Sequence, residues 1–382
     1  MAAIIPVEIA RIITRFVKDK QSLLNLLLAS HAFRLLAEPY LYNDVSFCQQ
    51  RERTIHSFLL GLTAAGGRCT HFVKRLRLPI IPQLSRLYTS YQIVLTLVPN
   101  LEDLQFYPSW STSSPRRFDL QDFLNGPSSP PAFVLKHFAW HSRRSLDSVG
   151  LTWFLTNHKS LEYLSLMTFN TADAIPTLPR LRVLHTLNLA AARRSLETNQ
   201  VTHLRINNCT ASLDLDDAAL RNVVVFDLCL NTLEELSDAA VRMPNLECFA
   251  INLLSSPIPT TLSRLSVLKA ATKLHHLRIR IAVPRHWQDH PWDHNDVLNA
   301  FDSLPSLSHI SIQLVPASHF PEYHHFTKGV LRPTKLRSLY PELEWWHDWM
   351  EDHATVPFAP NEPPKIGYQG DLHDAAGEDE TS

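Results

Sequence analysis

Apolar residues along the chain follow two rhythms, and the change between them falls near residue 47. Up to there the spacing is helical. Ile5, Ile9, Ile12, Ile13 and Phe16 predict a first helix, with Pro6 where a first turn tolerates proline. Ser22 predicts the cap of a second helix carrying Leu23, Leu24, Leu26, Leu27 and Leu28, after a break at Asp19 and Lys20. A third short helix holds Phe33, Leu36 and Ala37, and Pro39 is expected to stop it. Leu24, Leu27 and Leu28 cannot all face so small a core. The surplus predicts either docking on the rest of the chain or a surface for a partner.

After Phe47 the rhythm becomes apolar, two residues, apolar, one residue, apolar. It recurs as Val73-Leu76-Leu78, Leu101-Leu104-Phe106, Leu135-Phe138-Trp140, Leu161-Leu164-Leu166 and Leu184-Leu187-Leu189. It continues as Val201-Leu204-Ile206, Val223-Phe226-Leu228, Leu246-Phe249-Ile251, Leu274-Leu277-Ile279 and Leu307-Ile310-Ile312. The pattern resembles a leucine-rich repeat, with Cys209 and Asn231 at the polar position that follows two of the units. Such a unit supplies one short strand and a return segment, and buries its leucines only between neighbours. Asp214 to Leu220 and Thr260 to Ala270 are expected as return helices. The chain's 59 leucines find a use this way. A doubly wound α/β sheet is the alternative, but it wants glycines after its strands, and the chain has only 9.

The N-terminal residues carry a second resemblance. Ile5-Pro6-Val7-Glu8-Ile9, Ile12-Ile13, Leu23-Leu24-x-Leu26-Leu27-Leu28-Ala29-Ser30 and Ala32-Phe33-Arg34-x-Leu36-Ala37-x-Pro39-x-Leu41-Tyr42 are similar to an F-box. Ile5 stands for the usual leucine, Ala29 for the usual valine and His31 for a common arginine. The resemblance implies docking onto the Skp-type adaptor of a cullin–RING ubiquitin ligase, with Ile5, Pro6, Ile9, Ile12, Leu24 and Leu27 as contacts. The expected fold is therefore α/β. A three-helix F-box (1–46) leads into an irregular leucine-rich-repeat solenoid with a parallel sheet on its concave face (47–352), then an acidic tail (353–382) expected to be disordered. The expected function is that of a non-catalytic substrate receptor. A leucine-rich-repeat scaffold acting without the ligase is the alternative.

Residues flanking the central leucines alternate onto the concave face. Arg75, Arg77, Tyr163, His203, Arg205, Asn207, His276, Arg278 and Arg280 fall there. Guanidinium forks suit carboxylate and phosphate, so the partner expected is an acidic or phosphorylated protein segment; a merely solvated face is the other reading.

Charge and chemistry narrow the classes. With 36 Lys+Arg against 37 Asp+Glu, no overall field recruits nucleic acid or anionic lipid. No long uncharged apolar run predicts a membrane span, and the charges of the first helix argue against a secretory leader. Its Arg11 and Arg15 leave a mitochondrial presequence as a weaker reading, opposed by Glu8 and Asp19. Five scattered cysteines predict reduced thiols, hence cytoplasm or nucleus. His286, His290 and His294 have helical zinc-ligand spacing, but Pro291 would interrupt the helix, so a surface loop is expected and no metal or cofactor. Ser109 to Pro131 reads as an inserted loop, and Trp345 to Trp349 as an end cap. No P-loop, HExxH or nucleophile-elbow motif is present.

Overall fold

The computed structural model describes residues 5–17, 19–47, 52–64, 67–80, 86–108, 117–118, 120–124, 133–142, 145–167, 175–207, 215–230, 241–253, 262, 265–283, 294–316, 322–330 and 334–337. His286 and His290 of the zinc-like spacing, the Trp345–Trp349 segment, the acidic tail and most of the Ser109–Pro131 insertion lie outside these residues.

Three helices come first: α1 (Val7–Phe16), α2 (Lys20–Ala29) and α3 (His31–Asn43). The cap of α2 is Asp19 rather than Ser22. Its carboxylate accepts the Ser22 N–H at 2.7 Å and faces the positive end of the helix. Pro39 does not stop α3, which runs on to Asn43. A proline withholds only its own N–H, here from the carbonyl of Leu35, a residue that is itself exposed.

The helical unit is joined to the repeats in three ways. Strand β1 (Asp44–Ser46) leaves α3 directly and pairs in parallel with β2 (Arg75–Pro79), so the sheet already begins within residues 1–46. Lys20 Nζ donates to the Asp44 carbonyl at 2.9 Å. Buried Glu38 on α3 accepts from Arg34 Nε at 2.9 Å and pairs with Arg68, which precedes β2.

From β2 the sheet grows by one strand per repeat. β3 (Asp103–Tyr107), β5 (His137–Trp140), β7 (Tyr163–Leu166), β8 (Val183–Thr186) and β9 (His203–Ile206) follow in parallel. β10 (Val225–Leu230), β11 (Cys248–Leu253), β12 (His276–Val283) and β13 (His309–Pro316) continue the series. The antiparallel strands β14 (Glu322–Thr327) and β15 (Thr334–Arg337) close it, while β4 (Arg117–Phe118) and β6 (Ser145–Leu146) pair apart. Neighbours in sequence are neighbours in space, which is a solenoid and not a doubly wound sheet. Return segments include α4 (Glu52–Ala64), α5 (Arg86–Leu97), α6 (Leu120–Phe123), α7 (Ser148–Asn157), α8 (Leu189–Thr198), α9 (Asp217–Leu220) and α10 (His294–Ser303). A 3₁₀ turn spans Leu265–Ala270.

Each strand turns its leucines inward in register: Leu76, Leu104, Phe138, Leu164, Leu184, Leu204, Phe226, Phe249, Leu277 and Ile310 form one continuous buried row. The backbone repeats as regularly. At nine successive repeats, from Lys74 to His275, the carbonyl before the strand accepts two N–H groups from the next unit. For Lys74 the donors are Glu102 at 2.9 Å and Asp103 at 3.0 Å. Ahead of the strands, the N–H of Leu101, Leu181, Leu246 and Leu307 returns to a carbonyl three residues back, with Pro99, Pro179, Pro244 and Pro305 fixing φ in the turn.

One repeat is set differently from its leucine spacing. The inward residues of β8 are Leu184 and Thr186, preceded by Leu181, and not Leu184-Leu187-Leu189. Thr186 interrupts the apolar pattern, yet it is fully buried, and its hydroxyl accepts the Asn188 N–H at 3.0 Å. Asn188 then caps α8, which already contains Leu189. The central residues Leu164, Leu184 and Leu204 become evenly spaced as a result.

His158 occupies the turn position that Val98, Leu178, Met243 and Leu304 fill elsewhere. Its ring stacks on Phe133 at 5.5 Å and meets Phe154 edge-on at 4.6 Å, and Nδ1 accepts the Leu135 N–H at 3.4 Å. Burial pushes its pKa down to about 4. Among the described residues no helix is long and apolar enough to cross a membrane.

The histidine makes stability depend on pH. Its folded pKa lies below the ordinary value near 6.5, so its contribution is complete above pH 6.5 and is lost as pH falls toward 4. The loss expected at pH 4 from this one group is about 3 kcal/mol. Urea midpoints measured between pH 7 and 4 should fall less steeply for His158→Gln, which keeps an acceptor but does not titrate; an unchanged slope would contradict the assignment.

Candidate functional site

Two surfaces remain after the core is accounted for. The first lies on the helical unit. α1 buries its small residues: Ala10 and Thr14 are covered, and the Thr14 hydroxyl bonds back to the Ala10 carbonyl at 2.8 Å. Small side chains on this side permit close approach to α3. The large ones project the other way. Ile9, Ile12 and Phe16, spaced to share one helical face, are exposed, as is Ile5 just ahead of the helix, and Phe16 is 76% exposed. An amphipathic helix docked on its own protein has the opposite arrangement. On α2, Leu23 is buried, Leu24 and Leu28 are exposed, and Leu27 is half-buried. Of the six residues that the F-box resemblance selects, Ile5, Pro6, Ile9, Ile12 and Leu24 are therefore at the surface.

The second is the face of the sheet opposite the leucine row, on which Tyr163, His203, Arg205 and Arg278 are themselves buried. All nine residues expected there occupy outward register positions, but they form three groups rather than one site. Arg75 and Arg77 lie on β2; His203, Arg205 and Asn207 lie on or beside β9, with Tyr163 two strands away; His276, Arg278 and Arg280 lie on β12. At the usual strand spacing β2 and β9 are about 24 Å apart, and β9 and β12 about 14 Å.

Their charge environments differ. Arg75 stands between Asp44 at 3.9 Å and Asp103 at 3.7 Å, and Arg77 is 3.7 Å from Asp44. Asp103 also accepts from Gln105 Nε2 at 3.1 Å, and Tyr107 donates to Gln105 Oε1 at 2.7 Å. In the middle, Arg205 Nε is 3.0 Å from Asp227 and donates to Asn207 Oδ1 at 2.9 Å. Asn252 donates to Asp227 at 3.1 Å. On β12, Arg278 donates to Gln313 Oε1 at 2.7 Å, and the imidazoles of His276 and His309 stack at 4.5 Å with a 1° interplanar angle. Between the polar groups lies an apolar patch of Ala139, Tyr163, Val183, Val225, Cys248 and Ala250. Burial there raises the pKa of the Cys248 thiol.

Sequence reasoning that seeks only Arg and His misses the aspartates at positions 44, 103 and 227. The alternation that selects Arg75 and Arg205 selects them equally, because a strand pairs each outward side chain with its register neighbour on the next. Ser165 and His185 are another such pair, with Oγ and Nδ1 3.0 Å apart. Ser165 has no exposed surface and its strand is bonded on both sides, so the pair joins two buried side chains and offers no open nucleophile. Among the described residues no group of three or more His, Cys, Asp or Glu could hold a metal ion.

No family model and no curated protein matches the chain. Among solved structures, the leucine-rich repeat-containing protein LegL7 from Legionella pneumophila is similar at 15% identity and a TM-score of 0.33, over 65% of this chain and 84% of that one. The fold assignment rests on the strand order and register described above.

Arg205 and Asp227 are both buried, so removing Asp227 leaves the Arg205 charge buried without this carboxylate. Asp227→Ala should cost about 3–5 kcal/mol, whereas Asp44→Ala, beside half-exposed arginines, should cost about 1 kcal/mol or less. Chemical denaturation of the two variants checks this; equal losses would show that the central pair is not the anchor of the face.

Proposed function

We propose that the chain is a substrate receptor of a Skp–cullin–F-box ubiquitin ligase. The helical unit docks the Skp-type adaptor, and the concave face of the repeats holds the target protein. The observation that carries this reading is the reversed polarity of α1, with Ala10 and Thr14 turned in and Ile5, Ile9, Ile12 and Phe16 turned out. A contiguous apolar surface of that kind on a small helical unit calls for a partner. The Glu38–Arg68 pair and the direct passage of α3 into β1 support the reading in a second way, since they hold the docking unit against the first repeat. The chain supplies no catalytic residue on this reading. It raises the effective concentration of a target lysine near a ubiquitin-loaded enzyme, in the cytoplasm or nucleus where such complexes act.

The same join between α3 and β1 also favours a second reading, in which the helices cap the solenoid of a scaffold that works without a ligase. Without a cap the open end of a repeat stack exposes its core.

Affinity capture separates the two. The full chain should retain the Skp-type adaptor and a cullin. Ile9→Asp combined with Ile12→Asp should abolish that retention while leaving the thermal midpoint nearly unchanged, because both side chains are exposed. Failure of the wild-type chain to retain the adaptor, or retention by the double variant, would favour the scaffold.

A further inference from the structure

The 36 basic residues of the chain are 26 arginines and 10 lysines, and the two kinds are not evenly mixed. From residue 160 to residue 268 the basic positions are eight arginines and no lysine. In the fold this stretch is the middle of the solenoid. It carries strands β7 to β11, with Lys159 in the turn ahead of β7 and Lys269 in the 3₁₀ turn ahead of β12. At the usual strand spacing β7 and β12 are about 24 Å apart. Exposure does not explain the choice, since Arg180, Arg182, Arg193, Arg194 and Arg221 are exposed, as are Lys159 and Lys269. Place in the repeat does not explain it either. Arg182 stands directly ahead of β8 as Lys74 stands ahead of β2 and Lys136 ahead of β5, and all three carbonyls accept two donors from the next unit. Of the lysines toward the two ends, Lys136 Nζ donates to Glu102 Oε2 at 2.8 Å and Lys328 Nζ to the Pro305 carbonyl at 2.9 Å.

The two cations differ in one chemical respect. In ubiquitin transfer a neutral lysine amine attacks the thioester carbonyl at the C-terminus of ubiquitin. A C–N isopeptide bond forms, the C–S bond breaks, the enzyme's cysteine leaves as thiolate and the amine gives a proton to solvent. An arginine keeps its proton at any physiological pH and offers no such nitrogen. A receptor that brings the transfer machinery close to a target also brings it close to its own surface, where proximity favours any available amine. We infer that the arginine-only middle of the solenoid makes the receptor a poor ubiquitin acceptor, which directs transfer to lysines of the bound target. The inference rests on the ligase reading and adds how the receptor is spared by its own complex.

The test uses the full chain reconstituted with a Skp-type adaptor, a cullin–RING pair and the ubiquitin-loading enzymes, without a target. Arg180→Lys, Arg182→Lys and Arg221→Lys are combined in one variant, which keeps the charge at three exposed positions. The variant should be ubiquitinated at least about fivefold faster than the wild-type chain. Mass spectrometry should find the added isopeptide bonds at the three substituted positions. A wild-type chain modified as fast as the variant, or a variant with no ubiquitin at those positions, would overturn the inference. Adaptor capture on the same preparations separates the two proposals. Adaptor retention with no gain in modification removes this inference alone, whereas no retention by the wild-type chain removes the ligase reading and this inference with it.

Discussion

Leu204 is shielded from water by Leu184 on one side and Phe226 on the other, and each of those depends in turn on the strand beyond it. No single repeat has enough chain to cover its own leucines, so burial is shared along the whole stack. The shared carbonyls from Lys74 to His275 tie neighbouring units by the same logic, since each accepts two donors from the following repeat. Everything else about the molecule depends on this sharing. The stack needs terminations, and its strands must present their other side chains on one common face.

The N-terminal termination is the helical unit. It meets the sheet through β1 and through Glu38, which is buried and bonded from both sides by Arg34 and Arg68. A buried carboxylate held this way fixes an orientation more than it adds stability. Within the unit, α1 turns its small residues inward and leaves its large ones outside. The concave face is likewise a by-product of core formation, and its arginines are mostly matched by aspartates in the next strand.

Most of the solenoid was legible in the sequence because leucine periodicity is the direct image of the shared core. It misled at β8, where buried Thr186 satisfies its hydroxyl on Asn188 and so needs no apolar side chain. The recurring proline directly after the helix-side apolar residue was an unused signal; Pro99, Pro179, Pro244 and Pro305 each mark the turn two residues before a strand-leading leucine. Helix ends were harder to read, since the choice of Asp19 over Ser22 and the passage of α3 through Pro39 depend on what each group meets in space. The residues flanking the leucines do lie on the opposite side of the strands from the core row, but their pairing was not legible, because register between strands is set by loop lengths that composition does not reveal.

The proposed docking of a Skp-type adaptor on the helical unit is open to hydrogen–deuterium exchange of the full chain with and without that adaptor. Slowed exchange within residues 5–43, with strands β2 to β13 unchanged, is the predicted result. Protection spread along the concave strands, or no protection anywhere, would contradict the account.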